Sequence, residues 1–168
     1  MNSLISSFLD FARPLQIRPV EADLRTVIDD VTRQQADLVA RCGIQLTVNA
    51  PETLRFDFDP DLVKVALSNL VQNAIQASKA GQEVEIRVVP GEDNVKIFVT
   101  DHGSGIQKEH LENIFNPFFT TKPNGTGLGL AIVSKIADEH HGQILVFSEP
   151  GVGTRFELAL PKVQQTES

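Results

Sequence analysis

The sequence has little cysteine and no long apolar run, and both shortages narrow what the chain can be. Cys42 is the only cysteine in 168 residues, which excludes an intrachain disulfide and a metal cluster built on cysteine. No apolar run approaches the ~20 residues that a membrane-spanning helix needs. The first residues, MNSLISSFLDFARP, lack the basic start and the small-residue cleavage site of a secretory signal peptide. We therefore expect a cytoplasmic domain.

Positive charge is also scarce. Fifteen lysine and arginine residues stand against 22 aspartate and glutamate residues, so the formal net charge is -7 at pH 7. A protein that binds nucleic acid needs a basic face to neutralise phosphates, so this composition argues against nucleic acid as a partner. The hydrophobic fraction of 41% and the charged fraction of 22% are ordinary for a soluble globular protein.

Apolar periodicity predicts alternating helices and strands. A short amphipathic helix over 2–12 ends at Arg13-Pro14, and because so short a helix is marginal alone we expect it to continue a longer element. The other predicted helices span 21–41, 59–79, 107–114 and 127–140. The predicted strands span 15–20, 43–50, 53–58, 83–89, 94–100, 143–148 and 154–160. These elements predict a two-layer α/β sandwich with a mixed sheet and helices on one face.

Three glycine clusters punctuate this pattern: DHGSGI (101–106), GTGLGL (125–130) and GVGT (151–154). None fits the phosphate-binding loop of P-loop enzymes or the dinucleotide fingerprint. The cluster at 125–129 opens a predicted helix, whose first N–H groups and positive dipole end suit a phosphate. A flexible loop that leads into a helix would look much the same, and GVGT alone is best explained as a hairpin turn.

Two asparagines lie four residues apart in the predicted helix over 59–79. Asparagine is a mediocre helix former, so Asn69 and Asn73 on one stripe need a reason. They are either satisfied amides that bond to neighbouring loops, or part of a site in which a neutral oxygen helps to hold Mg²⁺ that arrives with phosphates.

Five motifs resemble, in order and spacing, the N, G1, F, G2 and G3 boxes of bacterial sensor histidine kinases: NLVQNA, DHGSGI, FNPFFTTK, GTGLGLAIV and GVGTRF. The boxes mark the ATP-binding catalytic domain of that family, and the chain looks most like the nitrogen-regulation type. The resemblance implies the Bergerat ATP-binding fold, mostly antiparallel in its sheet, over residues 15–161. Residues 1–14 would be the end of a dimerisation helix and a linker, and 162–168 a flexible tail.

The resemblance also implies roles for individual residues. Asn73 matches the Mg²⁺ ligand, Asn69 a neighbouring phosphate-side residue, and Lys122 a cationic partner of the phosphates; these three are the expected catalytic residues. Asp101 matches the carboxylate that accepts a hydrogen bond from the adenine amino group, which favours ATP over GTP. The remaining expected nucleotide-binding residues are Gly103, Gly105, Ile106, Gly125, Thr126, Gly127, Leu128, Gly129 and Thr154.

The sequence departs from the family pattern in places. Gln76 stands where other branches often carry a basic residue, which leaves Lys122 a more isolated cation. No histidine has the context of the phosphoacceptor box, so we expect a catalytic fragment that acts on a separate dimerisation domain, with a response regulator downstream. His140 and His141 are expected to be structural or exposed. Phe115, Phe118 and Phe119 either anchor a lid to the core or dock on the partner helix.

Three other functions are weighed. A free-standing serine kinase of the anti-sigma-factor kind has the same fold and also lacks the phosphoacceptor box. An ATPase of the chaperone or topoisomerase type would carry a glutamate base where this chain has Asn69, and an amide cannot take a proton from water. A nucleotide-binding module without catalysis is disfavoured by intact Asn73, Asp101 and Lys122. Whether the parent protein is membrane-bound or homodimeric stays open.

Overall fold

The computed structural model describes residues 11–123 and 125–163. In chain order its elements are β1 (Val20–Asp23), α1 (Leu24–Gln34), α2 (Ala36–Cys42), β2 (Gln45–Asn49), β3 (Arg55–Phe58), α3 (Pro60–Ala77), β4 (Glu83–Pro90), β5 (Asn94–Asp101), α4 (Lys108–Leu111), α5 (Gly129–Glu139), β6 (Gln143–Glu149) and β7 (Gly153–Pro161). Phe11 and Ala12 are helical, and the rest of the helix predicted over 2–12 lies outside the described residues.

The main sheet has the strand order β2-β4-β5-β7-β6, and β1 pairs with β3 apart from it. Only the β2–β4 pair, among the strands of the described residues, is parallel; the others are antiparallel. Burial alternates along the central strands, so one face of the sheet is covered and the other meets solvent. The helices α1, α3 and α5 supply the covering layer. The predicted two-layer sandwich with a mixed, mostly antiparallel sheet is therefore confirmed.

Two local predictions were wrong. Residues 15–19 form no strand; the strand begins only at Val20. Pro19 has no N–H to donate to a ladder, and the N–H of Arg18 donates instead to Asp59 Oδ2 at 2.8 Å. The helix predicted over 21–41 begins only at Leu24, since residues 21–23 belong to β1, and it is two helices because Gln35 adopts φ -90° and ψ 0° between them.

The helix α3 carries the first half of the site. Asp59 caps it: its Oδ1 accepts from the N–H groups of Asp61 and Leu62 at 3.1 Å each, and Pro60 occupies the first turn. Seven apolar side chains of α3 are buried (Val63, Ala66, Leu67, Leu70, Val71, Ala74 and Ile75). Neither α3 nor any other helix in the described part of the chain is long and apolar enough to cross a membrane.

His140 joins the end of α5 to the start of α3. Its side chain is fully buried. Nε2 accepts from the N–H of Asp59 at 3.1 Å, and Nδ1 lies 2.8 Å from the carbonyl of Ile136, so the neutral ring carries its proton on Nδ1. Burial lowers the pKa of His140 below its usual value, more than the hydrogen bond to the Ile136 carbonyl and the neighbouring acidic groups raise it. The predicted structural role of His140 is confirmed.

The helix α5 also contacts residues 11–13, at the start of the described part of the chain. Lys135 Nζ donates to the carbonyl oxygens of Phe11 and Arg13, both at 2.9 Å, and lies 5.2 Å from the centre of the Phe11 ring. Lys135 thus caps the C-terminal end of the helical turn at residues 11 and 12. Residues 11–13 are therefore attached to the same helix whose first turn lies at the candidate site.

Candidate functional site

A row of polar side chains crosses the inner face of the main sheet at one end. Asp101 on β5 lies opposite Thr154 on β7, which lies opposite Ser148 on β6. Directly opposed residues in antiparallel strands point to the same face. The next inward row, Val99, Phe156 and Val146, is apolar. The polar row thus interrupts an otherwise apolar face of the sheet.

Asp101 is buried within this row, with 5% of its surface exposed. Its Oδ1 accepts from the N–H of Gly103 at 2.9 Å, and the backbone of Thr154 also bonds to the carboxylate. Burial nevertheless raises the pKa of Asp101 above its ordinary value, because desolvation outweighs these two bonds. A carboxylate offers about four lone-pair sites, so Asp101 can still accept from a ligand N–H.

Ser148 is a site residue that the sequence analysis missed. Its hydroxyl accepts from the N–H of Ile106 at 2.8 Å, donates to the carbonyl of Gly153 at 2.9 Å, and lies 2.8 Å from Thr154 Oγ1. Since Ser148 has a single hydroxyl proton, Thr154 must be the donor in their contact. The hydroxyl of Thr154 then has only acceptor capacity left for a ligand. The only signal in the sequence was a small polar residue at an inward position of a strand.

The loop over 102–106 lies against the end of α3. The N–H of Ser104 donates to the carbonyl of Ala77 at 3.2 Å, and its own carbonyl accepts from Gly151 at 2.8 Å. A Cβ at Gly103 would stand 2.1 Å from the Ala77 oxygen, so only glycine fits there. Gly105 lies in the same loop. The two glycines let this loop pass close to the backbone of Ala77 and of Glu149, and their predicted contact with a base stays a prediction.

A polar stripe on α3 forms the other half of the site. Asn69 Nδ2 donates to the carbonyl of Val65 at 3.0 Å. Lys122 Nζ donates to Asn73 Oδ1 at 3.0 Å and to Gln76 Oε1 at 2.6 Å. A Cβ on Gly129 would lie 3.0 Å from Asn69 Oδ1, so the first turn of α5 adjoins this stripe. The structure thus brings the predicted phosphate-side residues together.

The long segment between β5 and α5 crosses over this stripe. Phe115 packs edge-on against Phe156 of the core at 6.2 Å, and Phe119 packs partly against the core and against the ring of His110. Phe118 has a positive φ of 68° and is 48% exposed. The anchoring role predicted for the three phenylalanines therefore applies to Phe115 and Phe119.

The glycines that precede α5 shape the end of this segment. Gly127 has φ +73°, and a Cβ there would stand 2.3 Å from the carbonyl carbon of Phe118, whose N–H donates to the Gly127 oxygen at 2.8 Å. Thr126 Oγ1 accepts from the N–H of Leu128 at 3.3 Å. Leu128 is buried, and its predicted contact with a nucleotide stays a prediction.

The first turn of α5 and the Lys122 ammonium group are the positive groups of the candidate site. The helix begins at Gly129, two residues later than predicted, and no side chain caps its first N–H groups. Partial burial lowers the pKa of Lys122 below that of an ordinary lysine, although part of the side chain stays exposed. Uncapped N–H groups and an ammonium group thus face one region beside α3, which is a suitable environment for phosphate.

The fold and these two half-sites define an ATPase-type nucleotide domain. The family model described as "Histidine kinase-, DNA gyrase B-, and HSP90-like ATPase" matches residues 58–164. The chain belongs to this family.

Within this family, the chain is similar to sensor histidine kinases. The chain is 44% identical over 165 residues to the sensor histidine kinase ZraS of Escherichia coli O157:H7, which covers 96% of this chain and 35% of ZraS. The catalytic domain of histidine kinase ThkA superposes with a TM-score of 0.80 at 35% identity, over 87% of this chain and 97% of that domain. ThkA in complex with the response regulator protein TrrA gives 0.83 at 29% identity, over 96% of this chain and 47% of the other. The chain thus spans about a third of the length of ZraS.

Proposed function

We propose that this chain is the catalytic domain of a sensor histidine kinase, which donates the γ-phosphate of Mg-ATP to a histidine on a separate dimerisation domain. The observation that carries the proposal is the arrangement along α3. A buried acceptor, Asp101, lies near its end, and a cation, Lys122, lies on its polar stripe. A nucleotide would need both environments, an acceptor for its adenine and positive charge for its phosphates.

At one end of the proposed site, hydrogen-bond acceptors would favour adenine over guanine. Asp101 would accept from the exocyclic amino group of adenine, and the remaining lone pair of Thr154 would accept there too. Guanine presents a carbonyl oxygen at that position, and a carboxylate would repel it. Ser148 and the loop over 102–106 hold both acceptors in place.

The phosphate end is selected by positive groups. Lys122 and the uncapped N–H groups of α5 would neutralise the charge that develops during transfer. Asn73 fits a hard cation, because its amide oxygen already accepts from an ammonium group and a neighbouring amide oxygen, that of Gln76, points to the same cation. Mg²⁺, when bound through Asn73 and the phosphates, would supply further charge neutralisation.

Transfer rather than hydrolysis follows from Asn69. Its amide donates to the carbonyl of Val65 and has no basic oxygen with which to take a proton from water. The bound nucleotide therefore needs an acceptor from outside the chain. A histidine on a dimerisation domain is the proposed acceptor, and a response regulator is the proposed next partner, as in the ThkA–TrrA complex. On this proposal residues 1–14 are the link to the dimerisation domain, 15–161 the catalytic unit and 162–168 a tail.

The test is incubation with labelled ATP and Mg²⁺, with and without a separate dimerisation domain of a related kinase. We expect acid-labile phosphohistidine on the added domain and no more than trace label or hydrolysis without it. Lys122→Ala and Asn73→Ala should each lower transfer by about tenfold or more, through the loss of phosphate charge and of the metal ligand. Asn49→Ala, on the exposed end of β2, is the matched control.

Each other outcome points elsewhere. Acid-stable phosphoserine on a protein substrate would favour the serine kinase of the same fold. Rapid hydrolysis by the chain alone would contradict the assignment of Asn69. Phosphohistidine on the isolated chain would contradict the need for a separate acceptor, and His102 beside Asp101 would be examined first.

A further inference from the structure

The Lys122 ammonium group is shared between two amide oxygens of α3, and only one of them is needed by the proposed metal. Gln76 Oε1 is the closer acceptor at 2.6 Å, against 3.0 Å for Asn73 Oδ1. Lys122 is 46 residues further along the chain than Gln76. The pair therefore joins the segment that crosses the site to the helix beneath it.

We propose that Gln76 is a positioning residue that receives Lys122 and holds its ammonium group beside the nucleotide phosphates when Asn73 is occupied by metal. This inference rests on the proposed function. It assigns to Gln76 a role through Lys122, since a neutral amide cannot itself neutralise phosphate charge.

The argument starts from what metal binding does to the contacts of Lys122. A cation on Asn73 Oδ1 would repel the ammonium group and take its acceptor. Gln76 Oε1 lies one turn further along α3 and stays available. Lys122 would then lose one hydrogen bond and keep the other, so it would remain attached to α3 at the phosphate end. Without Gln76 it would depend on the flexible segment alone.

Charge supports the same arrangement. Lys122 Nζ lies 2.6 Å from the Gln76 side chain, so a second cation at position 76 would repel the ammonium group. A neutral amide oxygen at that position instead accepts a hydrogen bond from it. In this chain the helix supplies the acceptor and the crossing segment supplies the charge, which makes delivery of the charge dependent on closure of that segment.

The first experiment needs no nucleotide. Hydrogen exchange is measured at the amides of Phe118, Lys122 and Gly125, which the structure shows hydrogen-bonded within the segment. Gln76→Ala and Lys122→Met should each speed exchange there by about three- to tenfold, between the values for an exposed ion pair and a buried charged hydrogen bond. The double variant should show no further increase. Gln76→Glu keeps an oxygen acceptor and should restore slow exchange.

The second experiment measures binding of a non-hydrolysable ATP analogue with Mg²⁺ to the same variants. Gln76→Ala should weaken binding by about three- to tenfold in the wild-type background and by less than twofold in the Lys122→Met background, because contacting residues that act as a unit are not additive. Gln45→Ala, an exposed glutamine on β2, should change neither readout.

The outcomes separate this inference from the proposed function. Equal effects of Gln76→Ala with and without Lys122, or unchanged exchange in the nucleotide-free chain, would overturn the role of Gln76. A wild-type chain that binds no ATP analogue would overturn the proposed function, and the exchange data would still decide whether Gln76 holds Lys122.

Discussion

The substitution Asp101→Asn replaces one buried carboxylate oxygen by an NH₂ group and tests the adenine end of the site. The carboxylate accepts from the backbone of Gly103 and of Thr154 and, on the proposed function, from the adenine amino group. An amide has one acceptor oxygen and an NH₂ group that only donates. In Asp101→Asn at least one of these N–H groups must therefore face another donor.

The magnitude follows from the kind of bond that is lost. A hydrogen bond to a buried charged acceptor is worth about 1–3 kcal/mol, and a donor that faces a donor loses all of it. We expect ADP to bind roughly 5- to 150-fold more weakly, since each 1.4 kcal/mol is a factor of about ten.

The nucleotide-free chain should respond differently from the complex. Because folding raises the pKa of Asp101, the charged form destabilises the fold, and this cost is absent below the unfolded pKa of 3.8 and appears as the pH rises through the folded value. A neutral asparagine removes that cost while it weakens one backbone hydrogen bond. The thermal unfolding temperature of Asp101→Asn at pH 7.5 should therefore stay close to that of the wild type.

Isothermal titration with ADP and with GDP, beside thermal unfolding, measures both effects. Asp57→Asn on the exposed face of β3 is the matched control and should bind ADP as the wild type does. Unchanged ADP affinity in Asp101→Asn, or equal affinity of the wild type for ADP and GDP, would refute the adenine assignment. A large loss of stability would instead show that Asp101 is mainly structural.

Three further predictions concern the segment over 107–126, the buried His140, and the contact of Lys135 with residues 11–13. The segment over 107–126 should exchange more slowly with a γ-phosphate analogue or a partner domain present than without either; equal exchange rates in the two states would contradict this. Folding lowers the pKa of His140, so the stabilisation by the neutral ring is present above pH 6.5 and lost as the pH falls through the folded pKa. The free energy of unfolding of the wild type, measured in urea, should therefore fall towards pH 5. His141→Gly, at a left-handed position of φ 57°, should keep that pH dependence while adding about 0.5–1 kcal/mol of stability. Lys135→Met should speed chymotrypsin cleavage after Phe11 with ADP affinity unchanged; unaltered cleavage would exclude the contact as a restraint.

The local sequence was sufficient for most elements, because their signals are local. Asp59-Pro60 predicted the start of α3 from cap chemistry alone, and the alternation in β4 and β5 predicted two strands and their buried faces. The ordered motifs predicted the family, and the pattern of helices and strands predicted the mixed sheet. The errors were local as well: Pro19 could not join a ladder, and apolar spacing could not reveal that Gln35 would interrupt a helix.

The pairing of distant residues was decided by the tertiary structure. Ser148 lies in an ordinary strand, and only the register of three strands places it beside Thr154 and against the loop at Ile106. Gln76 read as a departure that left Lys122 isolated, yet the crossing segment brings the ammonium group to within 2.6 Å of it. Contacts across 42 and 46 residues depend on strand register and on the path of a long segment, and neither leaves a periodic signal in the sequence. The sequence therefore determined which groups were present, and the packing of sheet, helix and segment decided which of them meet.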